Sequence, residues 1–317
     1  MNQATESTRQ PPHRGAALAA ARAVAGCQDY PAGALYVVAT PIGNLADITL
    51  RALHVLDMAD ALACEDTRHT SQLLRAYGIE KPAHALIAVH QHNEAGAAQT
   101  VIERLQTGQR VAYVSDAGTP AVSDPGARLV AAVQAAHLRA LPVPGASSVT
   151  ALLSVAGAVD PVGGGGFVFA GFLPQQASAR NALVQTLRHE PRAALLLEAP
   201  HRIVACASAL APLGARAITL GRELTKQFEQ IVTLPCADLP AWLQAQTGRQ
   251  RGEFALLLHP QTAAAPHAAS NAQTGRVLRL LLAELPLKQA VKLTAEITGA
   301  ARNALYQQAL QIKPPRE

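Results

Sequence analysis

The chain has 317 residues, 49% of them hydrophobic, so it is long for one domain and able to build a core in each of two. Its four cysteines, Cys27, Cys64, Cys206 and Cys236, lie far apart without a Cys-x-x-Cys pair, which argues against a disulfide framework or a zinc site and for a reducing compartment, and no apolar run is long enough to span a membrane. The formal net charge of +5 is unevenly placed: residues 1–159 hold 11 Lys/Arg against 12 Asp/Glu, and residues 160–317 hold 16 against 10, an asymmetry that suits a polyanion contacting mainly the second half.

Residues 1–32 read as a disordered leader. A polar arm precedes an Ala-rich stretch that Arg22 interrupts, which makes a poor signal peptide, so a cytoplasmic protein is expected. Gly33 to Thr40 then reads as a buried strand running into the turn Pro41-Ile42-Gly43-Asn44-Leu45, with Thr49 capping the next helix. Ala59 to Cys64 is a second strand, followed by Glu65-Asp66-Thr67-Arg68-His69-Thr70. Two readings stand there: a helix start capped by Asp66 or Thr67, or a polar substrate site with Arg68 on a phosphate. Leu86 to Val89 is a third strand. His90 and His92 with Glu94 lack a third ligand and the His-Glu-x-x-His spacing, so the segment reads as a polar cleft rim and no metal is expected.

Val111 to Val114 is a strand leading into Ser115-Asp116-Ala117-Gly118-Thr119-Pro120-Ala121-Val122-Ser123-Asp124-Pro125-Gly126. A turn with a capping Asp before a helix needs less polar and conformational specification than this. We read the dodecamer as a ligand loop beyond the carboxyl end of a strand, where open α/β sheets bind their ligands. Leu138 to Val143 is a fifth strand, followed by Pro144-Gly145-Ala146-Ser147-Ser148, whose helix start offers backbone N–H groups to the same pocket. No Gly-x-x-x-x-Gly-Lys-Ser/Thr occurs, which excludes a P-loop.

Asp160 to Gly166 reads as a linker. The α/β alternation then resumes, with strands at 167–174, 193–197, 216–220, 229–234 and 253–258 forming a mixed sheet. Polar clusters end two of these strands, Glu198-Ala199-Pro200-His201-Arg202 and Gly221-Arg222-Glu223-Leu224-Thr225-Lys226. Gln261 to Ala272 reads as a linker. Helices over 276–285, 287–297 and 300–312, broken at Gly299, resemble a helix-turn-helix module, and residues 271–317 hold seven Lys/Arg against three Asp/Glu. The boundaries are thus a 1–32 leader, α/β domains over 33–159 and 166–260, and a helical extension over 273–313.

Several of these motifs together resemble the tetrapyrrole-methylase-like superfamily of S-adenosylmethionine-dependent methyltransferases, and within it the bacterial 16S ribosomal RNA cytidine 2′-O-methyltransferases. The residues that carry the resemblance are Thr40–Leu45, Glu65–Thr70, His92-Asn93-Glu94, Ser115–Gly126, Pro144-Gly145, Gly171–Pro174, Glu198–Arg202, Arg222–Lys226, Gly252-Glu253 and, in the tail, Leu285–Lys288 with Asn303–Tyr306. The resemblance implies two α/β domains with the cofactor cleft between them, plus the small helical extension. It implies S-adenosylmethionine held by Thr40, Pro41, Gly43, Asn44, Asp116, Gly118, Thr119, Pro120, Pro144, Gly145 and Ser147. It further implies methyl transfer to a cytidine ribose in the decoding region of 16S rRNA, naked or in the small subunit, by a homodimer. Lys226, Asp66, Glu223 and His201 are the candidate catalytic groups, and Arg68, Arg202, Arg222, Lys288, Lys292 and Arg302 the candidate RNA contacts. Two rivals remain: a small-molecule, tetrapyrrole-type methylase on the same scaffold, and a non-catalytic RNA-binding ribosome-assembly factor.

Overall fold

A computed structural model describes residues 15–90, 93–123, 126–159, 166–261 and 267–312. Two five-stranded sheets organise it. The first contains β1 (Ala34–Val38), β2 (Ala61–Cys64), β3 (Leu86–Ala88), β4 (Val111–Val114) and β5 (Arg139–Val143), all parallel, in the order β3-β2-β4-β1-β5. Near-continuous apolar strands suit a sheet covered on both faces. Alternate residues divide accordingly. Tyr36, Val38, Leu62, Cys64, Ala112 and Val114 face α1 (Ala16–Ala25), α2 (Leu50–Met58) and α3 (Thr67–Ala76). Leu35, Ala61, Ala63, Val111 and Tyr113 face α4 (Glu94–Gln106) and α5 (Gly126–Ala135). The neighbours β1 and β4 send their crossovers in opposite directions, so the crevice between their carboxyl ends is the topological switch point of the sheet.

One helix, α6 (Ser148–Val155), leaves this first half and packs on the second sheet. That sheet contains β6 (Phe167–Phe172), β7 (Ala193–Glu198), β8 (Ala217–Arg222), β9 (Gln230–Pro235) and β10 (Phe254–Leu258) in the order β6-β7-β10-β8-β9. Its β6–β7 pair is parallel and the rest antiparallel, the expected mixed sheet. A bulge at Gly171 (φ +66°) shifts the β6 register. Its outer face is covered by α7 (Ala177–His189), α8 (Ile203–Leu210) and α9 (Leu239–Gln244), through Leu187, Cys206, Leu210, Leu239 and Leu243.

The tail forms α10 (His267–Glu284), α11 (Leu287–Thr298) and α12 (Arg302–Ile312) around a core of their own, Leu278, Leu282, Ala290, Val291, Leu305 and Ala309. Gly299, in the left-handed region at φ +70°, ends α11 and donates its N–H to Ala295.

Two expectations are corrected. Residues 1–14 lie outside the described residues, but Ala16–Ala25 is helix, with Leu18, Ala21 and Ala25 buried on one face and Arg22 paired with Asp57 at 2.7 Å. Alanine has the best intrinsic helix propensity, and i, i+3, i+7 spacing gives even a small-residue helix a face to bury. The 261–272 linker is likewise cut short by the start of α10 at His267.

All four cysteines are free, and Cys64, Cys206 and Cys236 are buried. Burial raises all three thiols, Cys206 to about 12 and Cys236 to about 11. Exposed Cys27 is left as the accessible thiol. We predict that one thiol per chain reacts rapidly with a disulfide reagent in the native protein and four after unfolding. More than one fast native thiol refutes this packing.

Candidate active site

Four strand ends of the first sheet converge on one cleft. Thr40, after β1, exchanges backbone hydrogen bonds with Gly118, after β4, at 2.9 and 3.0 Å. Thr119 Oγ1 donates to the Ala146 carbonyl after β5 at 3.0 Å, tying in the third loop. Glu65, after β2, accepts the Asp116 N–H at 3.0 Å. Gly118 is required here: its φ is +80°, and a Cβ would lie 3.2 Å from Ile42 Cγ2. Gly145 is needed for proximity alone, since a Cβ there would lie 3.0 Å from that of Ala39.

The space enclosed has two adjoining chambers. One, of about 380 Å³, lies against the second sheet, walled by Phe172, Leu197, Leu224 and Phe254 with Glu198 and Glu253. The other, of about 240 Å³, lies against the first-sheet loops, with Glu65, Asp116, Gly118, Thr119 and Ser147. Ile42, Ala117, Ser148, Phe172 and Leu197 line both, which joins them into one cleft between the two halves. Thr40, paired through its backbone with Gly118 of the loop, keeps its Oγ1 buried without a hydrogen-bond partner. Ser147, at the N-cap of α6, makes no side-chain capping bond.

A charged cluster forms the rim. Lys226 Nζ donates to Glu223 Oε1 at 2.9 Å and to Glu253 Oε2 at 3.2 Å. Its stem packs on Gly43, where a Cβ would meet Lys226 Cγ at a distance no real contact shows. Burial works against the charge of Glu223, but the Lys226 ammonium and the Glu253 amide outweigh it and hold the carboxyl below its ordinary value. Burial also opposes the charge of Lys226, and the Glu223 and Glu253 carboxylates outweigh it, raising the ammonium. A lowered carboxyl loses its pairing only as pH falls through the lowered value, and a raised ammonium only as pH rises through the raised one. Glu223 and Lys226 are therefore both charged across neutral pH.

The remaining expected residues divide sharply. Pro41 and Pro120 are buried beneath the loops, Pro144 is exposed, and Asn44 Oδ1 caps the short turn of helix at 45–47. Arg68 is on the surface, its side chain 89% exposed and 3.5 Å from Asp66. His201 is exposed on the turn next to the cleft residues Ala199 and Pro200. Lys288, Lys292 and Arg302 are exposed on the tail helices, Arg302 paired with Glu296 at 3.5 Å. His92, Asp124 and Pro125 lie outside the described residues.

Three roles are corrected. Asp66 is the cap of α3, accepting the N–H groups of Arg68 at 2.8 Å and His69 at 3.4 Å, which with the Arg68 side chain lower its carboxyl. It does not line the cleft. Arg202 pairs with buried Glu198 at 3.1 Å and donates to the Leu173 carbonyl. Arg222 donates to the carbonyls of Arg251 at 2.6 Å and Phe228 at 3.2 Å. Both arginines serve the protein's own framework. Conversely, Glu65, Glu253, Ile42 and Phe172 line the cleft; they lie within the motifs quoted above but were not among the candidate site residues. A signal existed for the two glutamates, since each closes or opens a strand beside a polar cluster.

This cleft at the switch point of a parallel sheet, closed by a second mixed sheet, is the architecture of a tetrapyrrole methylase: residues 34–240 match the family described as Tetrapyrrole (Corrin/Porphyrin) Methylases. Residues 268–313 match the RsmI C-terminal HTH domain. The chain belongs to the ribosomal RNA small subunit methyltransferase I family. It is 47% identical over 282 residues to the Pseudomonas aeruginosa protein of that name, covering 88% of this chain and 98% of that one. It is 43% identical over 285 residues to the Escherichia coli O157:H7 protein of that name, covering 89% and 96%. Among solved structures it shares its fold with a diphthine synthase, at TM-score 0.55 and 14% identity over 71% of this chain and 90% of that one. A second is the uroporphyrin-III-C-methyltransferase of Thermus thermophilus, at TM-score 0.51 and 21% identity over 72% and 94%.

S-adenosylmethionine is the cofactor that goes with this family, and the cleft fits it. Apolar walls suit the adenosine, the orphaned Thr40 hydroxyl and the loop polar groups offer hydrogen bonds, and the carboxylates Glu65 and Asp116 suit a sulfonium cation.

Gly118→Val strains the left-handed backbone and pushes into Ile42. We predict at least a tenfold loss of S-adenosylmethionine affinity by calorimetry with the fold retained; unchanged affinity removes this loop from the site. Asp66 gives a second prediction, because Asn caps helices as well as Asp does. Asp66→Ala should lower the urea denaturation midpoint, and Asp66→Asn should keep both stability and methyl transfer. Loss of turnover in the Asn variant with stability intact restores a catalytic role.

Proposed function

We propose that this protein transfers a methyl group from S-adenosylmethionine to the ribose 2′-hydroxyl of a cytidine in the decoding region of 16S rRNA, acting in the cytoplasm as a homodimer. The observation that carries this reading is the Lys226 ammonium, held between Glu223 and Glu253 at the mouth of a cleft fitted for the cofactor. The relatives' printed name, with the tail match, supports RNA of the small subunit as the acceptor.

When bound, the cofactor supplies an electrophilic methyl group on a sulfonium. The protein's task is then to bring the acceptor oxygen into line with it and to exclude water. The acceptor hydroxyl has to shed its proton as it takes up that methyl group, so the protein must stabilise the charge that develops or receive the proton. Lys226, kept protonated by its two carboxylates, is suited to stabilise the alkoxide that develops and unsuited to act as base. Glu223 has one carboxylate oxygen shared by Lys226 and the Glu253 N–H, so it positions the ammonium. We assign the proton's departure to solvent to His201, which is exposed on the turn beside the cleft residues Ala199 and Pro200. Arg68 and the tail residues Lys288, Lys292 and Arg302, all exposed, are left for phosphate contacts.

Small subunits from a strain lacking this gene, incubated with protein and S-adenosylmethionine, should gain one methyl on one cytidine ribose by mass mapping. Lys226→Met should slow single-turnover transfer by about 10²–10³-fold, the size of losing one oxyanion donor, with cofactor affinity within a few-fold of the parent. No methylation by the parent protein overturns the acceptor; equal losses of affinity and rate place Lys226 in the cofactor pocket instead.

A further inference from the structure

The loop joining β8 to β9 carries more constraint than a connection between neighbouring antiparallel strands requires. Glu223 and Thr225 both sit in the left-handed region, at φ +52° and +67°, although neither is glycine. Such residues are strained and persist only where the surroundings over-determine them. The surroundings do. Glu223 N–H donates to the Glu253 carbonyl at 3.0 Å, Lys226 N–H to the Glu223 carbonyl at 3.0 Å, Thr225 N–H to Glu229 Oε1 at 2.7 Å, and Glu229 N–H to the Lys226 carbonyl at 3.1 Å. From below, the Arg222 guanidinium grips the Phe228 carbonyl at 3.2 Å.

This rigid path presents the Phe228 ring, which is 70% exposed. The chain has only five phenylalanines. Phe254 is buried, while Phe167 and Phe172 are 42% and 46% exposed, well short of Phe228. Among the described residues the Phe228 ring stacks on no other aromatic ring and lines neither chamber of the cofactor cleft, so neither the core nor the cofactor accounts for its display. It stands two residues after Lys226, a span of at most about 7 Å along the chain.

We propose that Phe228 is a stacking platform for a nucleobase of the acceptor strand, at or next to the nucleotide whose ribose meets Lys226. This rests on the reading of the acceptor as RNA. Unstacked bases of single-stranded RNA are held on aromatic faces, a contact that tolerates any base because every base has a π-face. A backbone fixed before binding spares the ordering cost that a flexible aromatic arm incurs. The base on Phe228 fixes the strand's position while the ribose lies at the cleft mouth, so one short loop supplies both the platform and the cation.

The test uses the full chain and a single-stranded oligoribonucleotide carrying 2-aminopurine next to a cytidine, whose fluorescence is quenched on stacking. The parent protein should bind and quench it. Phe228→Ala should bind about tenfold to a hundredfold more weakly, the range for losing one base–aromatic stack, and Phe228→Trp within about threefold of the parent. Cofactor affinity and sedimentation mass should be unchanged in both. If Phe228→Ala binds and quenches like the parent, the platform falls while the RNA reading stands. If its sedimentation mass changes, Phe228 is a contact between copies of the chain and the proposal is wrong. If the parent protein binds no RNA and methylates no subunit, the acceptor reading falls and takes this one with it.

Discussion

The structure depends on an apolar seam between its two sheets. Leu152 of α6, Leu195 of β7 and Leu257 of β10 are fully buried there, and Ile42 and Leu224 join them from the two loops that border the cleft. Each such side chain contributes roughly 1.5–3 kcal/mol by leaving water. The approach is close enough that a Cβ on Gly221 would lie 2.9 Å from Leu152 Cδ1. The seam fixes how far the first-sheet loops stand from the second sheet, and so fixes the width of the cleft. The Gly43–Lys226 contact is a second tie across the same gap, from the β1 loop to the β8 loop.

Much of this was legible in the sequence, and what was not has physical causes. The ten strands announced themselves as short apolar runs bounded by turn residues, because both sheets are covered and their strands carry few polar interruptions. The ligand loop Ser115–Gly126 and the Thr40–Asn44 and Pro144–Ser147 turns were visible for the complementary reason, as clusters of Gly, Pro and hydroxyls directly after strands. Helix α1 was missed because an alanine face is a weak hydrophobic signal. Asp66 and Arg202 were misplaced because a carboxylate or guanidinium at a strand end serves a cap or a buried pair as readily as a substrate. Glu65 and Asp66 are neighbours with the same chemistry; only the direction in which α3 leaves the sheet sends one to the cleft and the other to the helix.

The charge distribution raises a tension that the fold resolves by distance. The cleft is lined by Glu65, Asp116, Glu198 and Glu253, and the cations at its edge, Lys226 and Arg202, are neutralised by carboxylates. Such a lining suits a cationic cofactor and by itself repels a polyanion. Of the expected RNA contacts, those that are exposed stand elsewhere: Arg68 on α3, and Lys288, Lys292 and Arg302 on the tail.

On the proposed reading, that separation explains why the tail is a folding unit with its own core. Cations crowded around the cleft would weaken binding of a sulfonium, while too few anywhere would leave the phosphates unheld. Packing Leu278, Leu282, Val291 and Leu305 against one another, rather than against the second sheet, leaves the basic face of α11 turned outward whatever happens in the cleft. Phosphate contacts made there contribute affinity without regard to sequence. Selection of the nucleotide then falls to the short-range geometry of the cleft mouth, where the Glu223–Glu229 loop is tied down by its own hydrogen bonds and holds both Glu223 and Thr225 in the left-handed region.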